Sequence, residues 1–249
     1  MSVYATGDCH ETFRRFGRKY FPEQTNMTRN DCDIICGDFG VLWESPEKEN
    51  YWLDWLNGKP WTTLWVDGNH ENYTLLSGFS LEMWHGEMVH RVRSNILHLM
   101  RGQVFELQGY TSFTLGGAKS HDVEDGILEP KAPDFETRLM MRQILGRRRY
   151  QELGYTCWPE ELPSEEEYTR VRHSLEEHDW AVDYIITHCA PTNLAMAINC
   201  HNEANPFTDF LQEIREKARY HYWLFGHSHR NQAIDNKHIL LWEQIVQVI

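Results

Sequence analysis

Val3-Tyr4-Ala5-Thr6-Gly7-Asp8-Cys9-His10 reads as a short strand of β-branched and aromatic residues that ends at a glycine, with a carboxylate and an imidazole just beyond it. Strands with metal-binding side chains just beyond them recur down the chain, with Gly37, Gly68 and Gly226 in the place of Gly7 and no glycine before His188. Asp33 to Cys36 runs into Gly37-Asp38-Phe39-Gly40, Thr62 to Val66 into Gly68-Asn69-His70-Glu71, Tyr184 to Thr187 into His188-Cys189-Ala190-Pro191, and Tyr222 to Phe225 into Gly226-His227-Ser228-His229. A glycine ahead of the polar group lets the backbone leave a strand sharply and lets a side chain approach an ion. Tyr110 to Leu115 and His238 to Trp242 read as two further strands. Between them, Ser45-Pro46 starts a helix through Trp55, Asp134 to Arg149 forms a second, a capping box of Ser164 and Glu167 starts a third through Glu177, and Asn205-Pro206 opens a fourth to Ala218. Strands alternating with helices predict an α/β layered architecture, in which ligand sites gather beyond the carboxyl ends of the strands. All five motifs fall there.

The chain has 249 residues, 41% of them hydrophobic, with ten tryptophans, which is enough for one large core. No repeat, low-complexity tract or Gly/Ser linker divides it, so residues 1–249 read as a single domain. A formal charge of −13 argues against a generic grip on nucleic acid, whose affinity comes largely from Lys and Arg. A polyanionic substrate must then be drawn in by something local, such as bound metal. The first residues carry no basic start followed by an apolar stretch, and apolar residues never run long enough to span a bilayer. A cytoplasmic protein with no membrane partner is the expectation. The six cysteines form no Cys-x-x-Cys pair and fit free thiols in a reducing compartment. Cys9 and Cys189 read as small packing residues, because a soft sulfur site would leave the hard Asp and Asn donors unexplained.

Those donors are Asp8, His10, Asp38, Asn69, His188, His227 and His229, a mixture of oxygen and imidazole nitrogen. Such a set suits divalent or trivalent ions of the Mn, Fe or Zn kind and is too rich in nitrogen for calcium or magnesium alone. It exceeds what one tetrahedral ion takes, whereas two ions sharing one carboxylate need about this many and leave room for water and substrate. Two such ions outweigh two aspartates, so the centre stays positive in an otherwise acidic protein and favours phosphate oxygens. A bridging hydroxide would then attack phosphorus in line. His70, next to Asn69, is left to protonate the departing oxygen, a role suited to a side chain that titrates near neutrality. Glu71 or another carboxylate would orient it.

The motif series, from Asp8 to His229, resembles that of the calcineurin-like metallophosphoesterases. The resemblance implies that Asp8, His10, Asp38 and His229 hold one metal, that Asp38, Asn69, His188 and His227 hold the other, that Asp38 bridges the two, and that His70 is the catalytic histidine. It also implies the metallo-dependent phosphatase fold, a four-layer αββα sandwich of two mixed β-sheets. Two departures stand out: Glu11 follows the first histidine where the family often has Gly, and Gly40-Val41-Leu42 replaces the Asp-Arg-Gly of Ser/Thr protein phosphatases. A small-molecule or nucleotide phosphoester, mono- or diester, is therefore the expected substrate in preference to a phosphoprotein. Gly116-Gly117-Ala118-Lys119-Ser120-His121-Asp122 and Cys157-Trp158-Pro159-Glu160-Glu161 also resemble a bacterial and phage subgroup.

Three residues near the motifs are candidates for substrate contact. His121 and Asp122 follow a predicted strand and a double glycine, and Trp43, just after Gly40, has the shape to stack a base or aryl group. The other histidines without motif context read as surface or satisfied core groups. Arg138, Arg142, Arg147, Arg148 and Arg149 form a basic patch at partly helical spacing, a solvated face or a contact for a polyanion. Two other functions fit the same motifs: a nuclease of the family, drawing on that patch, and a scaffold that keeps the fold for protein contacts.

Overall fold

The structure, a computed structural model, describes residues 2–41, 46–121, 123–199 and 204–249. Trp43 and Asp122, two of the three expected substrate contacts, lie outside the described residues. The strands are β1 (Val3–Thr6), β2 (Cys32–Cys36), β3 (Thr62–Val66), β4 (Ser80–Trp84), β5 (Glu87–Arg93), β6 (Ile96–Leu99), β7 (Gln103–Leu107), β8 (Tyr110–Leu115), β9 (Ile127–Leu128), β10 (Gln151–Glu152), β11 (Tyr184–Thr187), β12 (Tyr222–Phe225), β13 (Gln232–Ala233), β14 (His238–Leu240) and β15 (Val246–Gln247). The helices are α1 (Pro46–Asn57), α2 (Tyr73–Leu76), α3 (Phe135–Ile144), α4 (Glu165–Glu177), α5 (Thr192–Ile198) and α6 (Pro206–Lys217).

Two mixed sheets carry the fold, in the orders β15-β1-β2-β3-β6-β5-β4 and β13-β14-β12-β11-β8-β7. β1, β2 and β3 pair in parallel, as do β8, β11 and β12, so their carboxyl ends form two rows of exits. Ile34, Cys36, Leu64 and Val66 of one sheet pack with Phe105, Ile186 and Leu224 of the other. Outside the first sheet, Trp61 and Trp65 pack with Phe13, Phe16 and with Leu53 and Leu56 of α1. Outside the second, Phe113, Ile185 and Trp223 pack against Val171 and Leu175 of α4 and Phe207, Leu211 and Ile214 of α6. The layers are therefore α, β, β and α, and strands buried on both faces account for their apolar runs. No described helix is long and apolar enough to cross a membrane.

The capping box of α4 and the Asn205-Pro206 start of α6 are built as the sequence predicts. Ser164 Oγ accepts from Glu167 N at 3.2 Å and Glu167 accepts from Ser164 N at 2.8 Å, while Asn205 Oδ1 accepts from the backbone of Phe207 and Thr208 at the start of α6. The helix expected over Asp134 to Arg149 is shorter. α3 stops at Ile144, and Gly146 turns the chain with φ +67°, so Arg147, Arg148 and Arg149 leave the helical face of Arg138 and Arg142. The arginines therefore do not form one helical stripe. The meander β4 to β6 at the edge of the first sheet, β7 at the edge of the second, and the short α2 and α5 are additional to the predicted elements.

Candidate metal centre

Six of the expected donors gather in two groups beyond the strand exits: Asp8, His10 and His229 in one, Asp38, His188 and His227 in the other. Within each group one ligand atom per residue lies within 4.8 Å of the others. Asp8 follows β1, Asp38 follows β2, His188 follows β11, and His227 and His229 follow β12, so the cluster forms where the two rows of exits meet. His10 Nε2 stands 3.6 Å from Asp38 Oδ2 and 3.0 Å from His229 Nε2, and His188 Nε2 stands 3.4 Å from the same Asp38 oxygen. Asp38 Oδ2 thus faces both groups. Asn69 joins the second, its Oδ1 lying 3.2 Å from His188 Nε2.

Close packing of backbone against ligand makes this convergence possible. A Cβ on Gly68 would collide with the carboxylate and backbone nitrogen of Asp38, leaving no room for any other residue. Asp38 Oδ1 accepts from His70 N at 2.8 Å, and Asp8 Oδ1 accepts from His227 N at 2.9 Å, so each carboxylate is aimed by the backbone of a neighbouring motif. His10, Asp38, His227 and His229 all have positive φ, between 43° and 68°, which is unfavourable for side chains with a Cβ. Such strain persists where the surrounding structure dictates it, and it concentrates at functional sites. Arg15 also pins the exit of β1: it donates to Asp8 O at 2.7 Å, to Gly7 O at 3.2 Å and to Trp242 O.

The protonation pattern fits a cation. Cys36 O can only accept, so His188 Nδ1, 2.8 Å away, donates, and this fixes the tautomer. The bare Nε2 then faces Asn69 Oδ1 and Asp38 Oδ2. Three lone pairs converge, which only a proton or a metal ion can reconcile. Burial by itself would lower the pKa of His188, but Asp38 and Asp8 drive it up to about 10, so a proton takes the place that an ion would hold. Burial would raise Asp38, yet His188, His70 and His10 hold it well below the usual carboxylate range. His227 goes the other way, down to about 3, first through burial and then through the neighbouring His188 and His121. Burial would raise the Asp8 carboxyl, but His188 and the contact of Asp8 Oδ2 with His229 Nε2 at 3.0 Å hold it below its ordinary value, and the same contact raises His229. A neutral imidazole at His227 and ionised carboxylates at Asp8 and Asp38 are the protonation states that metal binding requires.

Other expected residues fall nearby. The His70 ring stands edge-on to His10, with centroids 5.1 Å apart. Glu71 serves the Asp38 loop, since its buried Oε1 accepts from Phe39 N at 2.8 Å. His121 is exposed and sits against the second group, its Nε2 2.8 Å from His227 Nε2. Cys9 and Cys189 are buried thiols that burial pushes up to about 12, which fits packing rather than thiolate ligation. Four further supports escaped the sequence reading. Trp242 stacks on His229 at 5.6 Å, Arg15 holds β1, Ser120 accepts from Asn69 Nδ2 at 3.3 Å, and Asp67 is clamped by Arg101, His98 and Tyr73 immediately before Gly68. Only Ser120 lay in a quoted motif; the rest carry no local signal.

A two-sheet sandwich with imidazoles and carboxylates converging at its strand exits is the arrangement of a candidate metal-binding site. The chain belongs to the calcineurin-like phosphoesterases, whose family profile matches residues 1–231. That family depends on a dinuclear metal centre, and the two donor groups supply candidate ligands for it. No curated protein matches the chain.

Proposed function

We propose that the protein hydrolyses phosphomonoesters or small phosphodiesters, nucleotides among them, at a centre of two metal ions held by Asp8, His10, Asp38 and His229 on one side and Asp38, Asn69, His188 and His227 on the other. The observation that carries this reading is the position of Asp38 Oδ2, within 3.6 Å of His10 Nε2 and 3.4 Å of His188 Nε2, where one carboxylate can serve both groups. Bound ions supply the Lewis acidity that polarises a phosphoryl group and activates water. The remaining chemistry belongs to the side chains. The imidazoles leave the cluster less negative than an all-carboxylate site, so that a phosphate is not repelled. Asp8 and Asp38, each aimed by a backbone N–H, hold the ligand geometry without rearrangement during turnover. His70, beside His10 and outside both donor groups, protonates the departing oxygen. His121, exposed next to His227, is available to a bound phosphate or its ester group.

The test uses manganese-loaded protein with p-nitrophenyl phosphate and its bis-ester. Hydrolysis of at least one is expected. Replacing His70 with Asn should lower kcat by about 10²- to 10⁴-fold, the usual range for a general acid, while both ions stay bound. Turnover of neither ester would sink the hydrolase reading, and loss of metal on His70→Asn would make that residue a ligand.

A further inference from the structure

Asn69 poses a problem that the other donors do not. Its amide has an oxygen that binds cations and a nitrogen that repels them, and the two ends have nearly the same shape. Something must choose which end faces the second donor group. The amide is buried, with Oδ1 toward His188 Nε2 at 3.2 Å and Nδ2 toward Ser120 Oγ at 3.3 Å. Ser120 follows β8 and is itself buried. Its hydroxyl donates to Glu161 Oε2 at 2.8 Å, and Glu161 Oε1 accepts from Trp158 N at 3.1 Å. Ala118 N donates to Glu161 O at 3.1 Å and Arg101 Nη2 to Glu160 O at 2.7 Å, which ties this segment to the loop after β8 and to the Asp67 clamp.

A hydroxyl has one proton. The Glu161 carboxylate only accepts, so that proton is committed, and Ser120 Oγ presents lone pairs to Asn69. The amide must answer with its N–H, which turns Oδ1 toward the donor group. We propose that the chain Glu161, Ser120, Asn69 is a positioning relay that sets the amide's orientation and so the affinity of one of the two metal positions. It rests on the reading of Asn69 as a ligand. Glu161 and Ser120 stand outside both donor groups and reach the ion position through Asn69.

The relay makes an isosteric substitution more damaging than a deletion. In Glu161→Gln the Trp158 N–H still requires an acceptor, so Gln Oε1 takes that place and its amide nitrogen faces Ser120. Ser120 then accepts from Gln, its proton is released toward Asn69, and the Asn69 amide turns over to present Nδ2 to the ion. Ser120→Ala only removes the partner and leaves the amide able to sit either way. Manganese titration by calorimetry reads this directly. Two ions per chain are expected for the wild type, with one of the two binding steps lost or weakened at least tenfold in Glu161→Gln and no more than about threefold in Ser120→Ala. In the double variant the Glu161 substitution should add nothing to Ser120→Ala. Glu161→Ala also frees the Ser120 proton and is the second variant, expected to weaken the same step several-fold. Wild-type affinity in folded Glu161→Gln or Glu161→Ala would overturn the relay. So would equal losses in Glu161→Gln and Ser120→Ala, the pattern of a merely structural contact. Asn69→Ala separates the two readings: if it leaves both ions bound, the ligand assignment has failed, whereas if it loses one while both Glu161 variants keep two, only the relay has.

Discussion

Asp33 and Asp38 lie on one strand and its exit, both fully buried, and their surroundings treat them in opposite ways. Asp38, beyond the end of β2, is ringed by His188, His70 and His10 and stays ionised. Asp33, within β2, has neither carboxylate oxygen hydrogen-bonded among the described residues, and burial pushes its pKa up to about 7 against a weak opposing pull from Arg15. Burial is common to both. Partners differ, and partners decide whether a buried acid is a ligand or a liability. The strand exits concentrate positive φ, glycine contacts and imidazoles, whereas the strand bodies are packed by aromatic and aliphatic groups that leave Asp33 unanswered.

Two substitutions sharpen this contrast. The larger effect is expected at the exits: Gly68→Ala drives a methyl into the Asp38 carboxylate and backbone. A shift of about 1 Å at a reacting centre costs about a hundredfold in rate, so kcat/KM should fall by at least that much. A Gly68→Ala protein with wild-type turnover would show that Asp38 does not need its present position. The smaller effect lies within the strand. Because the folded-state pKa of Asp33 is raised, the folded protein holds this proton more tightly than the unfolded chain does. Stability from the group is therefore full below about pH 4 and declines as pH rises toward 7. Asp33→Asn removes that decline. Its thermal-melt advantage over the wild type should grow between pH 4 and pH 8, with a ceiling of roughly 4 kcal/mol. A difference that is flat with pH would mean that Asp33 has a partner the structure does not reveal.

The contrast also explains what the sequence could disclose. A strand followed by a metal-binding side chain, with a glycine between them in all but the His188 case, is a local pattern that makes Asp8, Asp38, Asn69, His188, His227 and His229 legible as a series, and the parallel strands β1, β2 and β3 of one sheet and β8, β11 and β12 of the other explain why they meet. The caps of α4 and α6 were visible for the same reason, since Ser164 with Glu167 and Asn205 with Pro206 act within one turn. The meander from β4 to β6 is not legible in this way. In β4, Leu81 and Met83 are exposed alongside their polar neighbours, so alternation gives no inward face to detect. α3 is shorter than expected because only the basic residues Arg147 to Arg149 continue the pattern past Gly146, none of the residues of α3 is buried, and nothing in the core holds the next turn. The supporting groups were least legible. Glu161 reaches Asn69 through Ser120, and Trp242 reaches His229 from a different strand end, so tertiary contact rather than spacing assigns their roles.

The most direct test of the account is elemental analysis of the protein after equilibration with manganese and removal of free ion, compared with Asp38→Ala. Two ions per wild-type chain and at most one weakly held ion in Asp38→Ala are the expected result, because the shared carboxylate belongs to both positions. A single ion in the wild type, or two retained by Asp38→Ala, would contradict a centre built around Asp38.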